Sequence, residues 1–244
     1  MDIVKSAGVL HAHLVKILAE CTEERPVVYL HSSEKAISLK FKIRGCFVHA
    51  LEKFEGGSKP MESCISSLWK QLYYTLIEGY RRKIQRNGGH EAKLYYRALL
   101  LEAVGFYTFL LQKYAHHSTL ELLGGVKPSP TITILPQPPA LSNSDLSKIV
   151  VYLGDLYRYL NQAEKADDWS QVLGIYKHAA ILNPSDGHCF NQSAIVSTLI
   201  GNDFHAFFYY CRGYVLTMMN TMADLIPCLL DTWQRYHLLH PKSI

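Results

Sequence analysis

The sequence predicts an all-α fold of about nine antiparallel helices, because apolar residues recur at helical spacing along nearly the whole chain. Strict alternation over a strand length occurs only at Thr131-Ile132-Thr133-Ile134-Leu135. Glycine, proline and serine or aspartate caps punctuate the pattern at intervals of helix length.

The first helix is expected over residues 2–21, followed by a loop ending at Ser32-Ser33, where a serine cap precedes Glu34. A second runs to about Phe54 and stops at Gly56-Gly57. Pro60 opens a long third helix to about Arg86, ended by Asn87-Gly88-Gly89. The fourth extends from about His90 to Leu123, with a break near His116-His117, and is closed by Gly124-Gly125. Residues 126–142 hold five prolines among serines and threonines, so this stretch cannot continue a helix and forms the best linker candidate. The expected organisation is one domain over 1–244, with a long-helix half (1–125), the proline-rich loop (126–142) and a repeat-like half (143–244).

That second half shortens the beat to helices at Asp145 to Gln162, Asp168 to Leu182, Ser185 or Asp186 to Ile200, Asp203 to Met218, and Met222 to Leu239. They form two degenerate repeats of roughly 34 residues, the tetratricopeptide length. The first, Lys148 to Pro184, supplies Leu153-Gly154 followed by Tyr157, then Tyr176, Ala179 and Pro184. The second, Gly187 to Asn220, supplies Ala194, Gly201-Asn202-Asp203, Ala206 and Tyr210. In an L-G-x2-Y pattern the glycine lets a partner helix approach closely. Two repeats cannot bury their own apolar faces, so the four longer helices must complete the core.

A formal charge of +4, with 48% hydrophobic and 19% charged residues, leaves little polar surface to spare and implies an apolar patch for a partner. The one dense basic cluster is Arg81-Arg82-Lys83 with Arg86, a weaker excess than nucleic-acid binders usually show. Cys21, Cys46, Cys64, Cys189, Cys211 and Cys228 are scattered without a C-x2-C pair and read as reduced, buried thiols of a cytosolic protein. No signal peptide begins the chain, and the nearly apolar run Ala98 to Leu111, interrupted by Glu102, is too short for a bilayer. The expected location is the cytoplasm, with shuttling to the nucleus.

No glycine-rich phosphate loop, G-x-S-x-G elbow or H-E-x-x-H is present, so neither catalytic residues nor a cofactor are expected. The pairs His11/His13, His116/His117 and His237/His240 lack a cysteine or carboxylate at ligand spacing, and no metal site is expected. The polar candidates fall into one groove. Tyr74 and Arg81 are seven residues apart, hence on one helix face. Arg158 and Tyr159 suit a phosphoester, the guanidinium giving a two-pronged contact and the phenol a third donor. Asn191 offers a donor and an acceptor to an extended peptide. The plainer alternatives are a solvated Arg158 and an Asn191 that pairs with a neighbouring helix. Gly105, beside Phe106 and Phe109, costs about 1 kcal/mol in a helix interior. Close approach of another helix, from this chain or from a partner, would compensate.

Gly154-Asp155-Leu156-Tyr157-Arg158-Tyr159-Leu160, Asn191 and the order of helices resemble the 14-3-3 fold, where an Arg-Tyr pair and an Asn hold a phosphoserine peptide. The chain is still more similar to the 14-3-3-like, tetratricopeptide-containing domain of the Smg-five, Smg-six and Smg-seven adaptors of nonsense-mediated mRNA decay, related to the telomerase factor EST-one. The segments that carry this are Leu68 to Tyr74, Gly105 to Leu111, Tyr152 to Gln162, Tyr176 to Ala180 with Asn183-Pro184-Ser185, Phe190-Asn191-Gln192, and Phe208 to Arg212. Tyr73-Tyr74 after Trp69 resembles the Smg-five pattern, toward which the reading leans. Gly105 to Thr108 and Pro184 to Arg212 resemble Smg-seven.

The resemblance implies a non-catalytic adaptor that forms a heterodimer with a Smg-seven-like protein and helps recruit the phosphorylated Upf-one helicase. Phosphatase or mRNA decay factors are further implied partners. The interface would involve Gly105, Phe106 and Phe109. It also implies a longer natural protein with further helical repeats and a PIN domain. Tyr74 stands where it implies a phosphate-binding lysine, so the pocket is expected to be weakened or lost. A phosphate-independent helical scaffold and an RNA-binding module using Arg81 to Arg86 are the competing readings.

Overall fold

A computed structural model describes residues 34–87, 89–115 and 141–220, together with the isolated helical positions Lys5, Val9 and Ala12. The helices expected at 2–21 and 222–239, the histidine pairs, Cys21, Cys228 and the proline-rich stretch up to residue 140 lie outside the described residues. Within them every regular element is helical: α1 (Glu34–Lys53), α2 (Lys59–Leu68), a π-helical turn (Trp69–Tyr74), α3 (Thr75–Asn87), α4 (His90–Tyr114), α5 (Asn143–Glu164), α6 (Ser170–Leu182), α7 (His188–Leu199) and α8 over residues 203–220. α4 closes at Tyr114, because Ala115 turns extended (φ −82°, ψ 144°), ahead of the expected His116-His117 break.

The chain divides into two compact units, Met1–Leu182 and Asn183–Ile244. The boundary falls after the first repeat and not at the proline-rich stretch, because α5 packs on α4 and α6 packs on α5.

The expected third helix is interrupted by the π-helical turn, for a reason visible in the burial pattern. Cys64/Ile65, Leu68/Trp69, Leu72/Tyr73 and Leu76/Ile77 are all buried, so apolar pairs recur every fourth residue. At 3.6 residues per turn such a stripe would rotate by about 40° per step and leave the core. The wider turn, in which the Thr75 amide donates to the Lys70 carbonyl, takes up the drift. Trp69 thereby stacks on Tyr152 of α5, ring centroids 4.8 Å apart and 5° from parallel, and meets Tyr107 of α4 edge-on at 5.9 Å.

α4 is long and apolar enough, by length and composition, to cross a membrane. Its packing instead makes it the central helix of the first unit: Leu99, Leu100, Ala103, Tyr107 and Leu110 are buried. Its Glu102 is pinned by two cations of α1, Lys40 (Nζ to Oε2, 2.5 Å) and Arg44. Arg44 also donates to the Tyr73 hydroxyl at 2.9 Å and covers the Phe106 ring at 4.6 Å. Burial alone would raise the Glu102 pKa, but Lys40 and Arg44 outweigh it and hold the carboxyl below its ordinary value.

α5 begins two residues before the expected Asp145, in a capping box between Ser142 and Asp145. Asp145 Oδ2 also accepts the Gly57 amide at 2.6 Å, which fastens the α1–α2 turn to α5. Gly57 has φ 77°, a conformation that favours glycine.

Cys64 and Cys189 are buried thiols, pushed by burial up to about 12 and about 11. Cys46 is half-buried, and Cys211 is exposed, contrary to the expectation of a uniformly buried set. In the second unit α7 and α8 cross at two glycines. A Cβ on Gly213 would lie 2.2 Å from Asn191 Oδ1, and one on Gly187 would lie 2.4 Å from the Gly213 carbonyl oxygen.

Candidate phosphate-binding site

Helices α3 to α6 of the first unit converge on a cluster of arginines, carboxylates and phenols. On α5, Gly154 has no side chain because none would fit: a Cβ would stand 2.5 Å from Tyr176 Cε1 of α6. That close approach delivers the Tyr176 hydroxyl to Asp155, to which it donates at 2.8 Å. Arg158 donates through Nη2 to the same carboxylate oxygen at 3.0 Å and through Nε to the Tyr176 hydroxyl at 3.3 Å. Asp155 and Arg158 are 5% and 7% exposed, so this is a buried pair and not a solvated helix arginine. Burial works against the Arg158 cation, but Asp155 more than restores it and the guanidinium stays charged.

Arg81 of α3 and Arg158 both neighbour the Tyr159 ring. Their guanidiniums lie 5.1 Å and 4.5 Å from the Tyr159 ring centroid. Arg81 also donates to Glu78 Oε1 at 2.6 Å, one helical turn back. Tyr96 of α4 is buried nearby; burial chiefly raises its pKa, and Arg81, Tyr159, Glu78 and Arg158 all act on it electrostatically. The cluster thus balances two guanidiniums, Arg81 and Arg158, with two carboxylates, Glu78 and Asp155. Sequence reasoning missed Glu78, Asp155, Tyr96 and Tyr176. For the carboxylates a signal existed: each precedes its arginine by three residues, a spacing that brings side chains together on a helix.

Tyr74 closes the π-helical turn, 41% exposed, with its ring 6.2 Å from Trp69. Asn191 belongs to the second unit, where its carboxamide fills the space over Gly213. The supposed interface residues divide. Gly105 and Phe109 are on the exposed face of α4, whereas Phe106 is buried beneath Arg44 and is a core residue. Among the described residues no atom of another helix comes within 4 Å of a Cβ placed on Gly105, so none of the described helices explains that glycine.

Gly154→Ala is expected to lower the unfolding free energy by about 1–3 kcal/mol through overpacking against Tyr176. In an unconstrained helix interior the same change would stabilise by about 1 kcal/mol. Urea denaturation measures the sign directly, and a stabilised variant would mean that the Tyr176 ring swings aside without cost.

Repeat-type helix pairs with a buried arginine and phenol cluster define an all-α helical domain. The family model described as the Est1 DNA/RNA binding domain matches residues 172–224. The nonsense-mediated mRNA decay factor SMG7 of Danio rerio is 35% identical over 128 residues, 48% of this chain and 10% of the relative. The decay factor SMG5 of Homo sapiens is 28% identical over 192 residues, 72% of this chain and 18% of the relative. The telomerase-binding protein EST1A of Danio rerio is 24% identical over 169 residues, 65% of this chain and 11% of the relative. The chain is thus similar to the EST-one-like nonsense-mediated mRNA decay factors. It spans less than a fifth of the length of these relatives. The higher identity is with SMG7 and the longer match with SMG5, so the leaning toward Smg-five receives only weak support.

Proposed function

We propose that this domain is a non-catalytic adaptor of nonsense-mediated mRNA decay that binds a phosphoserine segment weakly and pairs with a related 14-3-3-like domain. The observation that carries the reading is the convergence of Arg81 and Arg158, from different helices, on the ring of Tyr159. Two guanidiniums neighbouring one phenol ring form a basic locus that suits an anion with several acceptor oxygens. By family resemblance the phosphoprotein is the Upf-one helicase, the paired domain is of Smg-seven type, and phosphatase or mRNA decay factors act downstream. Cytoplasmic work with nuclear shuttling goes with that role. The pairing surface would be the outer face of α4 around Gly105 and Phe109.

The test uses fluorescence anisotropy with a labelled pool of short peptides randomised around a central phosphoserine, beside the same pool unphosphorylated. The expected result is binding of the phosphorylated pool only, lost in Arg81→Gln. Equal binding of both pools would establish the phosphate-independent scaffold instead. A second reading, direct RNA binding, is favoured by one observation: α8, within the matched family region, exposes Phe204, Phe207, Phe208 and Tyr214. Exposed aromatic rings can stack unpaired bases. Binding of labelled oligouridine with an affinity that falls steeply with salt would support it.

A further inference from the structure

Both guanidiniums of the cluster already hold a carboxylate, and the two carboxylates differ in how firmly they are held. Asp155 is buried, and besides Arg158 it accepts the Tyr176 hydroxyl. Removing it from Arg158 would strand a buried charge, so it is a fixed part of the scaffold. Glu78 is different. Its side chain is 28% exposed, its carboxylate pairs with Arg81 alone among the described residues, and the two sit three apart on one helix. Such a half-exposed pair is worth only about 0.2–1 kcal/mol, and a rotamer change releases the glutamate to water.

We propose that Glu78 is the specificity-determining residue of this site: it occupies Arg81 in the free domain, so an incoming anion must displace it. This rests on the phosphoserine-binding reading above. The consequence is selection by charge and oxygen count. A peptide aspartate or glutamate would exchange one carboxylate for another and gain nothing. A phosphoserine brings nearly two charges and three strong acceptors, enough to outcompete a single carboxylate for Arg81 while Glu78 swings out. Tyr96, buried among Glu78, Arg81, Tyr159 and Arg158, offers a phenol to the same anion.

The experiment compares wild type with Glu78→Gln in anisotropy titrations of three peptide pools sharing randomised flanks, with phosphoserine, aspartate or serine at the centre. Wild type is expected to bind only the phosphoserine pool. In Glu78→Gln the phosphoserine affinity should rise about three- to tenfold, as a competing charge and its repulsion of the ligand are removed. Measurable binding of the aspartate pool should also appear. Because Glu78 is partly exposed, the helical circular dichroism should not change. Wild-type binding of the phosphoserine pool with no gain, or a loss, in Glu78→Gln would overturn the inference and leave the adaptor reading standing. Absence of phosphoserine binding in both proteins would overturn the two together.

Discussion

Replacing Gly105 by glutamate is expected to abolish association with a Smg-seven-type 14-3-3-like domain and to leave the helical circular dichroism intact. The position stands in open space among the described residues. Leu94, Ala98, Leu101, Gly105 and Phe109 are all exposed and recur at steps of three and four along α4, which aligns them on one face. An exposed apolar stripe with a backbone-only gap at its centre suits the close approach of a second helix. In the free domain glutamate is a better helix former than glycine, so the fold loses nothing. In the complex it would bury an unpaired carboxylate, at a cost of roughly 3–5 kcal/mol, enough to weaken association more than a hundredfold. Size-exclusion chromatography with light scattering reads the complex, and Phe109→Ala should weaken it in the same direction. If both variants associate like wild type, the pairing surface is elsewhere on the domain. Collapse of the helical signal in Gly105→Glu would contradict the open environment of that residue.

The all-α class and most helix limits were legible because they are written locally. Ser142 and Asp145 form a cap from four consecutive residues, and α1 ends at Lys53, shortly before Gly57 with its positive φ. The π-helical turn was legible too, in apolar pairs repeating every four residues, but only to a reader measuring the period against 3.6. Gly154 was correctly marked as a point of close approach, yet its partner Tyr176 lies on the next helix and could not be paired with it from spacing alone. Phe106 shows what helical spacing does not decide. α4 is apolar on several sides, so which residue faces the core depends on α1, whose Arg44 covers Phe106. Asn191 looked like a ligand-binding amide, and its contact with Gly213 depends on a crossing between two helices.

Tyr74→Lys is expected to raise the affinity for the phosphoserine pool about ten- to a hundredfold, since one charge-assisted hydrogen bond contributes roughly 1.5–3 kcal/mol. Tyr74 and Arg81 are seven residues apart, and the segment from Thr75 onward is regular α-helix, so the two lie on one face about two turns apart. The residue is 41% exposed and its ring only leans on Trp69, so its loss opens no cavity. A lysine stem can lie along the same indole and carry the ammonium outward. The size of the gain follows from the balance already present. Arg81 is matched by Glu78 and Arg158 by Asp155, so the existing cluster offers an anion hydrogen bonds with little net charge. A new cation would give the site its first uncompensated charge, and the gained affinity should therefore fall as salt rises, over a Debye length of about 8 Å at physiological ionic strength. A folded Tyr74→Lys protein with no gain would mean that this face no longer contributes to phosphate binding, and the adaptor would then act through its α4 surface alone.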